Sequence, residues 1–236
     1  MESTARIGSN DLKAGSALSA PRAAFVISPW WALALLLAIF ILCEHLCTQP
    51  TMAHSISLQL TFLCYLIAVK INAHCTTPIS LPELFTHQLT PALREAMLAT
   101  IIIFGLILLF RMIYLQLHPD QPFIELDRLD PTYLAYLWVA PVQELTARGI
   151  IQTQISRGIK RHGAEYYAIL GSAALFAALH LFYSIAFALA SFAFAGLCGV
   201  LFMRHRNIIG ISILHVMVGN FAGVTGLWAQ LEKSPW

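Results

Sequence analysis

Three polar clusters interrupt apolar, helix-length runs in the second half of the chain: Gln143-Glu144-Leu145-Thr146-Ala147-Arg148-Gly149, then Phe176-Ala177-Ala178-Leu179-His180, then His215-Val216-Met217-Val218-Gly219-Asn220. An ionisable side chain at mid-membrane costs about 2.5–3.5 kcal/mol on insertion scales, so several gathered in one chain serve pairing, transport or chemistry. Glu144 and Arg148 stand four residues apart, share one helix face and can neutralise each other there. Taken alone they are equally well a structural ion pair. His180 and His215 are the histidines set well inside apolar runs; the others fall in loops or at run ends, where a side chain is solvated. One intramembrane histidine is often only an interhelical hydrogen bond. Two of them, on segments separate from the Glu-Arg pair, point to a polar catalytic chamber, and Pro141 just upstream frees a backbone carbonyl where the first cluster begins.

The elements that must position these residues are membrane helices. The chain is 58% hydrophobic and 11% charged, with a mean hydropathy of +0.71, which fits a protein solvated by lipid rather than a soluble domain. A formal net charge of +2 gives no reason to expect a nucleic-acid partner. Apolar runs of spanning length lie near 29–47, 56–70, 96–117, 131–153, 166–186, 187–203 and 208–230. The predicted fold class is therefore all-α, a polytopic transmembrane bundle of about seven spans around a polar chamber. The boundary between the fifth and sixth spans is weakly marked, since Tyr166 to Met203 holds no charge and no proline.

Lysine and arginine set the orientation. Arg6, Lys13 and Arg22 precede the first span, Lys70 and Arg94 lie between the second and third, Arg157, Lys160 and Arg161 follow the fourth, and Arg204 and Arg206 follow the sixth; the opposite loops hold Arg128 and Lys233. This alternation predicts a cytoplasmic N-terminus. Residues 1–28 read as a flexible cytoplasmic tail and 29–236 as one membrane domain, its first span a retained anchor. Ser80 and Pro82 are placed to start a short interfacial helix. Cys43, Cys47, Cys64, Cys75 and Cys198 form no CxxC or zinc spacing and suit apolar packing, and no GxSxG serine signature is present.

In order and spacing the three clusters, within a core of about 131–225, resemble the CPBP family of intramembrane proteases, which includes the type II CAAX prenyl endopeptidases, bacteriocin-processing enzymes and the Abi proteins. That family carries EExxxR, FxxxH and HxxxN or a near equivalent. Gly196 to Arg204 is similar to the family's lead into its last motif. The resemblance implies a glutamate-type endopeptidase with no cofactor, in which position 143 and His180 activate a water for attack on a peptide carbonyl. Glu144 and Arg148 then hold the local geometry, and His215 with Asn220 stabilises the oxyanion.

Two departures matter. Gln143 stands where the family has its leading glutamate, and a carboxamide cannot accept the proton. Either the chain as written is a Glu-to-Gln inactivated form, or Glu144 is the base. In the last motif the fourth position after His215 is Gly219 and the asparagine arrives at 220, about 140° round a regular helix from His215. Asn220 then joins His215 only if the helix is locally distorted; otherwise Gly219 and Gly223 form a small-residue packing face and Asn220 an interhelical hydrogen bond.

The sequence-level expectation is an integral, multi-pass protein of a prokaryotic inner membrane. Its partners are the lipid bilayer and a membrane-anchored peptide, a C-terminal tail or sorting signal, that it cleaves with an activated water. Two rivals remain open. His180, His215 and Glu144 could instead ligate a zinc ion, although HExxH is absent. The chamber could also be the binding site of a non-catalytic transporter or scaffold.

Overall fold

The apolar runs fold into helices, in which each backbone group finds its partner within its own segment. The structure, a computed structural model, describes residues 52–75, 79–126, 132–160 and 162–232. The tail expected at 1–28 and the span expected at 29–47 lie outside them. Among the described residues there is no strand. The order is α1 (Met52–His74), α2 (Leu81–Thr86), α3 (Leu89–Leu117), α4 (Thr132–Glu144), a π-helix (Leu145–Gln152), α5 (Thr153–Gly158), α6 (Ala164–Ala178), α7 (Ile185–His205), α8 (Ile208–Val224) and α9 (Leu227–Glu232).

Local signals explain most boundaries. Ser80, in extended backbone, precedes α2, which carries a proline in its first turn as expected. Ser184 caps α7 by accepting from the Phe187 amide at 2.9 Å, and Asn207 caps α8 by accepting from the Gly210 amide at 3.1 Å. Gly226, at φ +73°, ends the run after α8, so the apolar stretch 208–230 is two helices rather than one. The break between the expected fifth and sixth spans also moves: it falls at residues 179–184, not at 186–187.

α3 and α7, with 29 and 21 residues, are long and apolar enough to cross a membrane. α6 and α8 are apolar but have 15 and 17 residues, about 22 and 25 Å at ~1.5 Å per residue against a hydrocarbon core of roughly 30 Å. Seven full-length crossings are thus more than these helices supply. The distribution of side chains is nonetheless inverted relative to a soluble protein. Leu98, Ile101, Ile102, Leu106 and Ile113 stand exposed on α3, whereas Glu144, Arg148 and Gln152 are wholly buried.

The helix α8 lies at the centre, packed against α3 and α4, with α6 laid against α7. Tyr65 of α1, Ala96 of α3, Val142 of α4, Phe202 of α7 and Leu214 of α8 meet in the main core. Close approach of α8 to α4 depends on two glycines. A Cβ on Gly219 would collide with the Tyr136 ring, and one on Gly223 with the Tyr133 ring. The small-residue face expected at Gly219 and Gly223 is therefore real, and two tyrosines three residues apart occupy it.

Candidate active site

The site begins where α4 widens into the π-helix. Pro141 lies inside α4 without ending it, and the change of register follows at Leu145. Single π turns leave carbonyls in need of outside donors and are frequent at functional sites. Here Ser172 Oγ donates to the Ala147 carbonyl at 2.7 Å and Thr153 Oγ1 to that of Arg148 at 3.0 Å. These two hydroxyls thereby satisfy carbonyls of the widened turn.

Glu144 and Arg148 are both 0% exposed. As their spacing predicts, they pair: Arg148 Nε lies 3.3 Å from Glu144 Oε2. The other oxygen, Oε1, accepts from His215 Nδ1 at 2.8 Å. Arg148 also donates from Nη2 to the Ala195 carbonyl at 2.9 Å, and its guanidinium lies 5.1 Å from the Phe176 ring centroid. These contacts tie α4, the π-helix, α6, α7 and α8 together, which makes the pair a structural hub.

Beside this hub a cavity of about 320 Å³ opens, walled by α4, α7, α8, α9 and the turn after α6; Gln143, His180, His215 and Asn220 all line it, and Glu144 does not. Of these two adjacent positions only 143 reaches the cavity. Gln143 reaches the cavity wall with its Oε1 lacking any partner among the described residues, its Nε2 3.5 Å from Thr61 Oγ1. His180 is not within a helix as expected but in the turn that follows α6, while Phe176, Ala177 and Ala178 of FxxxH lie on the helix end. Its Nδ1 is 2.8 Å from the Phe176 carbonyl. A carbonyl only accepts, so Nδ1 carries the proton and, in the neutral ring, Nε2 keeps its lone pair. Phe176 and Phe187 stack on this imidazole, with centroids at 4.7 and 5.6 Å, and hold its plane.

His215 has both nitrogens engaged. Nδ1 meets Glu144, and Nε2 lies 2.8 Å from Tyr136 Oη. It lines the cavity, but the polar group next to it is the Tyr136 hydroxyl. Asn220 faces the cavity from further along α8; its Nδ2 is 3.5 Å from the Tyr133 carbonyl and its Oδ1 lacks a partner among the described residues. α8 runs as an α-helix through this stretch, so the distortion that would join Asn220 to His215 is not present. Among the described residues no group of three or more His, Cys, Asp or Glu side chains is arranged to hold a metal. Of the three candidate zinc ligands, Glu144 is bound by both His215 and Arg148.

Among the polar residues that line the cavity, sequence reasoning missed Tyr133, Tyr136, Tyr183, Ser191 and Glu232. Tyr136 had one indirect signal: glycines four apart on α8 require a bulky neighbour to fill the groove they leave. The sequence holds no comparable signal for Glu232.

Among known proteins, residues 129–221 match the family model described as type II CAAX prenyl endopeptidase, Rce1-like. All three polar clusters fall inside the matched stretch. No curated relative and no solved structure matches the chain.

Proposed function

We propose, since this chain belongs through residues 129–221 to the Rce1-like family of type II CAAX prenyl endopeptidases, that it hydrolyses a peptide bond in the C-terminal tail of a membrane-anchored substrate, using a water activated in the cavity between α4 and the turn after α6. The observation that carries this reading is the division of labour between adjacent positions. Gln143 and His180 both line the cavity, and Gln143 Oε1 is buried with no partner among the described residues, while Glu144 does not line the cavity and is held by Arg148 and His215. The base position is thus 143, and Glu144 is a positioning residue.

In the reaction, the water oxygen bonds to the carbonyl carbon as its proton passes to the base, and the carbonyl π pair moves onto oxygen. Collapse of the tetrahedral intermediate breaks the C–N bond, and the amine leaves with the proton returned from the base. A glutamate at 143 would take that proton. Gln143 cannot, which leaves His180 Nε2 beside it as the acceptor, so the chain as written is a disabled or slow form of its type. Leu58, Ile103, Val139, Phe187 and Trp228 make the rest of the cavity apolar and suited to a lipid-borne tail. The basic loops at 157–162 and 204–207 support a multi-pass arrangement with those loops in the cytoplasm.

The test is a farnesylated peptide ending in cysteine, two aliphatic residues and a variable residue, presented with the protein in liposomes and read by mass spectrometry after Gln143→Glu. The expected result is one new carboxyl terminus, lost on His180→Ala in that background and unaffected by a metal chelator. Product formation that survives His180→Ala would remove the reading. Loss of product with the chelator would favour a zinc ion on the histidines.

A further inference from the structure

We infer that Tyr136 is the oxyanion donor of this chain, its phenol standing in the space that a side chain at position 219 would fill. The inference rests on the peptidase reading above and adds a residue to it. Three observations carry it. Tyr136 lines the cavity together with Gln143 and His180, so its ring bounds the volume where a scissile carbonyl would lie. Its Oη is 2.8 Å from His215 Nε2, and His215 Nδ1 is 2.8 Å from Glu144 Oε1, which orients the phenol through two consecutive hydrogen bonds from a buried carboxylate. Finally, a Cβ built on Gly219 would lie 2.8 Å from both Oη and Cζ of Tyr136 and closer still to Cε1. The phenol and a residue-219 side chain are therefore mutually exclusive, and 219 is the position, four after His215, at which HxxxN would place its asparagine.

The chemistry is balanced without any further reactant. A phenol has one proton and two lone pairs. At rest the proton goes to His215 Nε2, since Nδ1 of that ring already donates to Glu144. As the carbonyl π pair moves onto oxygen, the O–H turns to that oxygen, and no covalent bond to the tyrosine forms. His215 then acts through Tyr136 and is a positioning residue, while Asn220, 3.5 Å from the Tyr133 carbonyl, is left to contact the substrate backbone or α4.

Two readouts test this independently of each other. The first uses binding to the chain as written and needs no turnover: a farnesylated peptide with a phosphinate in place of the scissile amide is compared with its amide parent. The wild-type chain should prefer the phosphinate, and Tyr136→Phe, which keeps the ring against Gly219, should lose about 10- to 100-fold of phosphinate affinity while binding the amide as before. The second uses kcat and KM in the Gln143→Glu background, where Tyr136→Phe should lower kcat by about 10²–10³ with KM within twofold, the usual effect of deleting one oxyanion donor. Gly219→Asn alone should be as damaging, and Tyr136→Ala with Gly219→Asn should recover the phosphinate preference that Tyr136→Ala lacks. Unchanged phosphinate affinity in Tyr136→Phe would overturn the inference, as would a wild-type chain that binds the amide and not the phosphinate. Tyrosine-dependent phosphinate binding without cleavage by Gln143→Glu would instead sink the peptidase reading and leave the donor in place. If neither peptide binds, both fall.

Discussion

Among the described residues two arginine–glutamate pairs are buried, and their chemistry is the same while their surroundings differ. Arg148 and Glu144 meet at 3.3 Å on the π-helix; Arg111 and Glu125 meet at 3.2 Å, the arginine on α3 and the glutamate in the segment beyond it. Arg111 also donates to the carbonyls of Pro122 and Phe123, and the Glu125 amide donates to the Val224 carbonyl at 2.8 Å. That pair fastens the segment after α3 to the end of α8, and neither member lines the cavity. The other pair lies beside a 320 Å³ space lined by Gln143, His180, His215 and Asn220. Buried charge by itself therefore marks architecture. A site is marked by buried charge next to room that polar side chains line.

The comparison is most easily broken by removing one member of each pair. Leaving the other charge buried and alone costs about 3–5 kcal/mol, so Arg148→Met and Arg111→Met should both lower the unfolding midpoint strongly in detergent. They should part in function. In the Gln143→Glu background, measured where each variant is still folded, Arg148→Met should also lose peptide cleavage and Arg111→Met should retain it. Retained cleavage in Arg148→Met, or its loss in a folded Arg111→Met, would erase the distinction.

Glycines sharpen the same contrast at smaller amplitude. Gly219→Ala puts a methyl group into the Tyr136 ring and should destabilise by about 1–3 kcal/mol, with cleavage reduced as the phenol is displaced. Gly105 on α3 has nothing within 4 Å of an added Cβ. Gly105→Ala should leave cleavage unchanged and shift stability by less than about 1 kcal/mol, towards greater stability. Thermal unfolding of the two variants side by side checks both.

Much of the site was legible because its signals are local. The i,i+4 spacing of Glu144 and Arg148 required their pairing, the Gly219 and Gly223 spacing announced close packing, and Ser80 with Pro82 marked a helix start. The residues that were not legible depend on long-range contacts. Nothing between Tyr166 and Met203 breaks a helix outright, so the turn at 179–184 was visible only as His180 and the eventual cap, Ser184. His180 was accordingly assigned to a span rather than to the turn that aims it into the cavity. The π register from Leu145 to Gln152 is stabilised by Ser172, which is remote in sequence, and by Thr153. Arg111, set inside an apolar run, gave no such signal because its partner Glu125 lies in an acidic segment that reads as solvent-facing.

The central claim is that position 143, not 144, holds the base, and one rate ratio tests it. Cleavage of the farnesylated peptide is measured for the chain as written, for Gln143→Glu and for Glu144→Gln, each in the same liposomes and each with its folding checked by thermal unfolding. General-base assistance contributes about 10²–10⁴ in rate. Gln143→Glu should therefore exceed the chain as written by that factor, and Glu144→Gln should show no proteolysis beyond the slow background. Robust cleavage by the chain as written that disappears in a folded Glu144→Gln would contradict the account and move the base to Glu144.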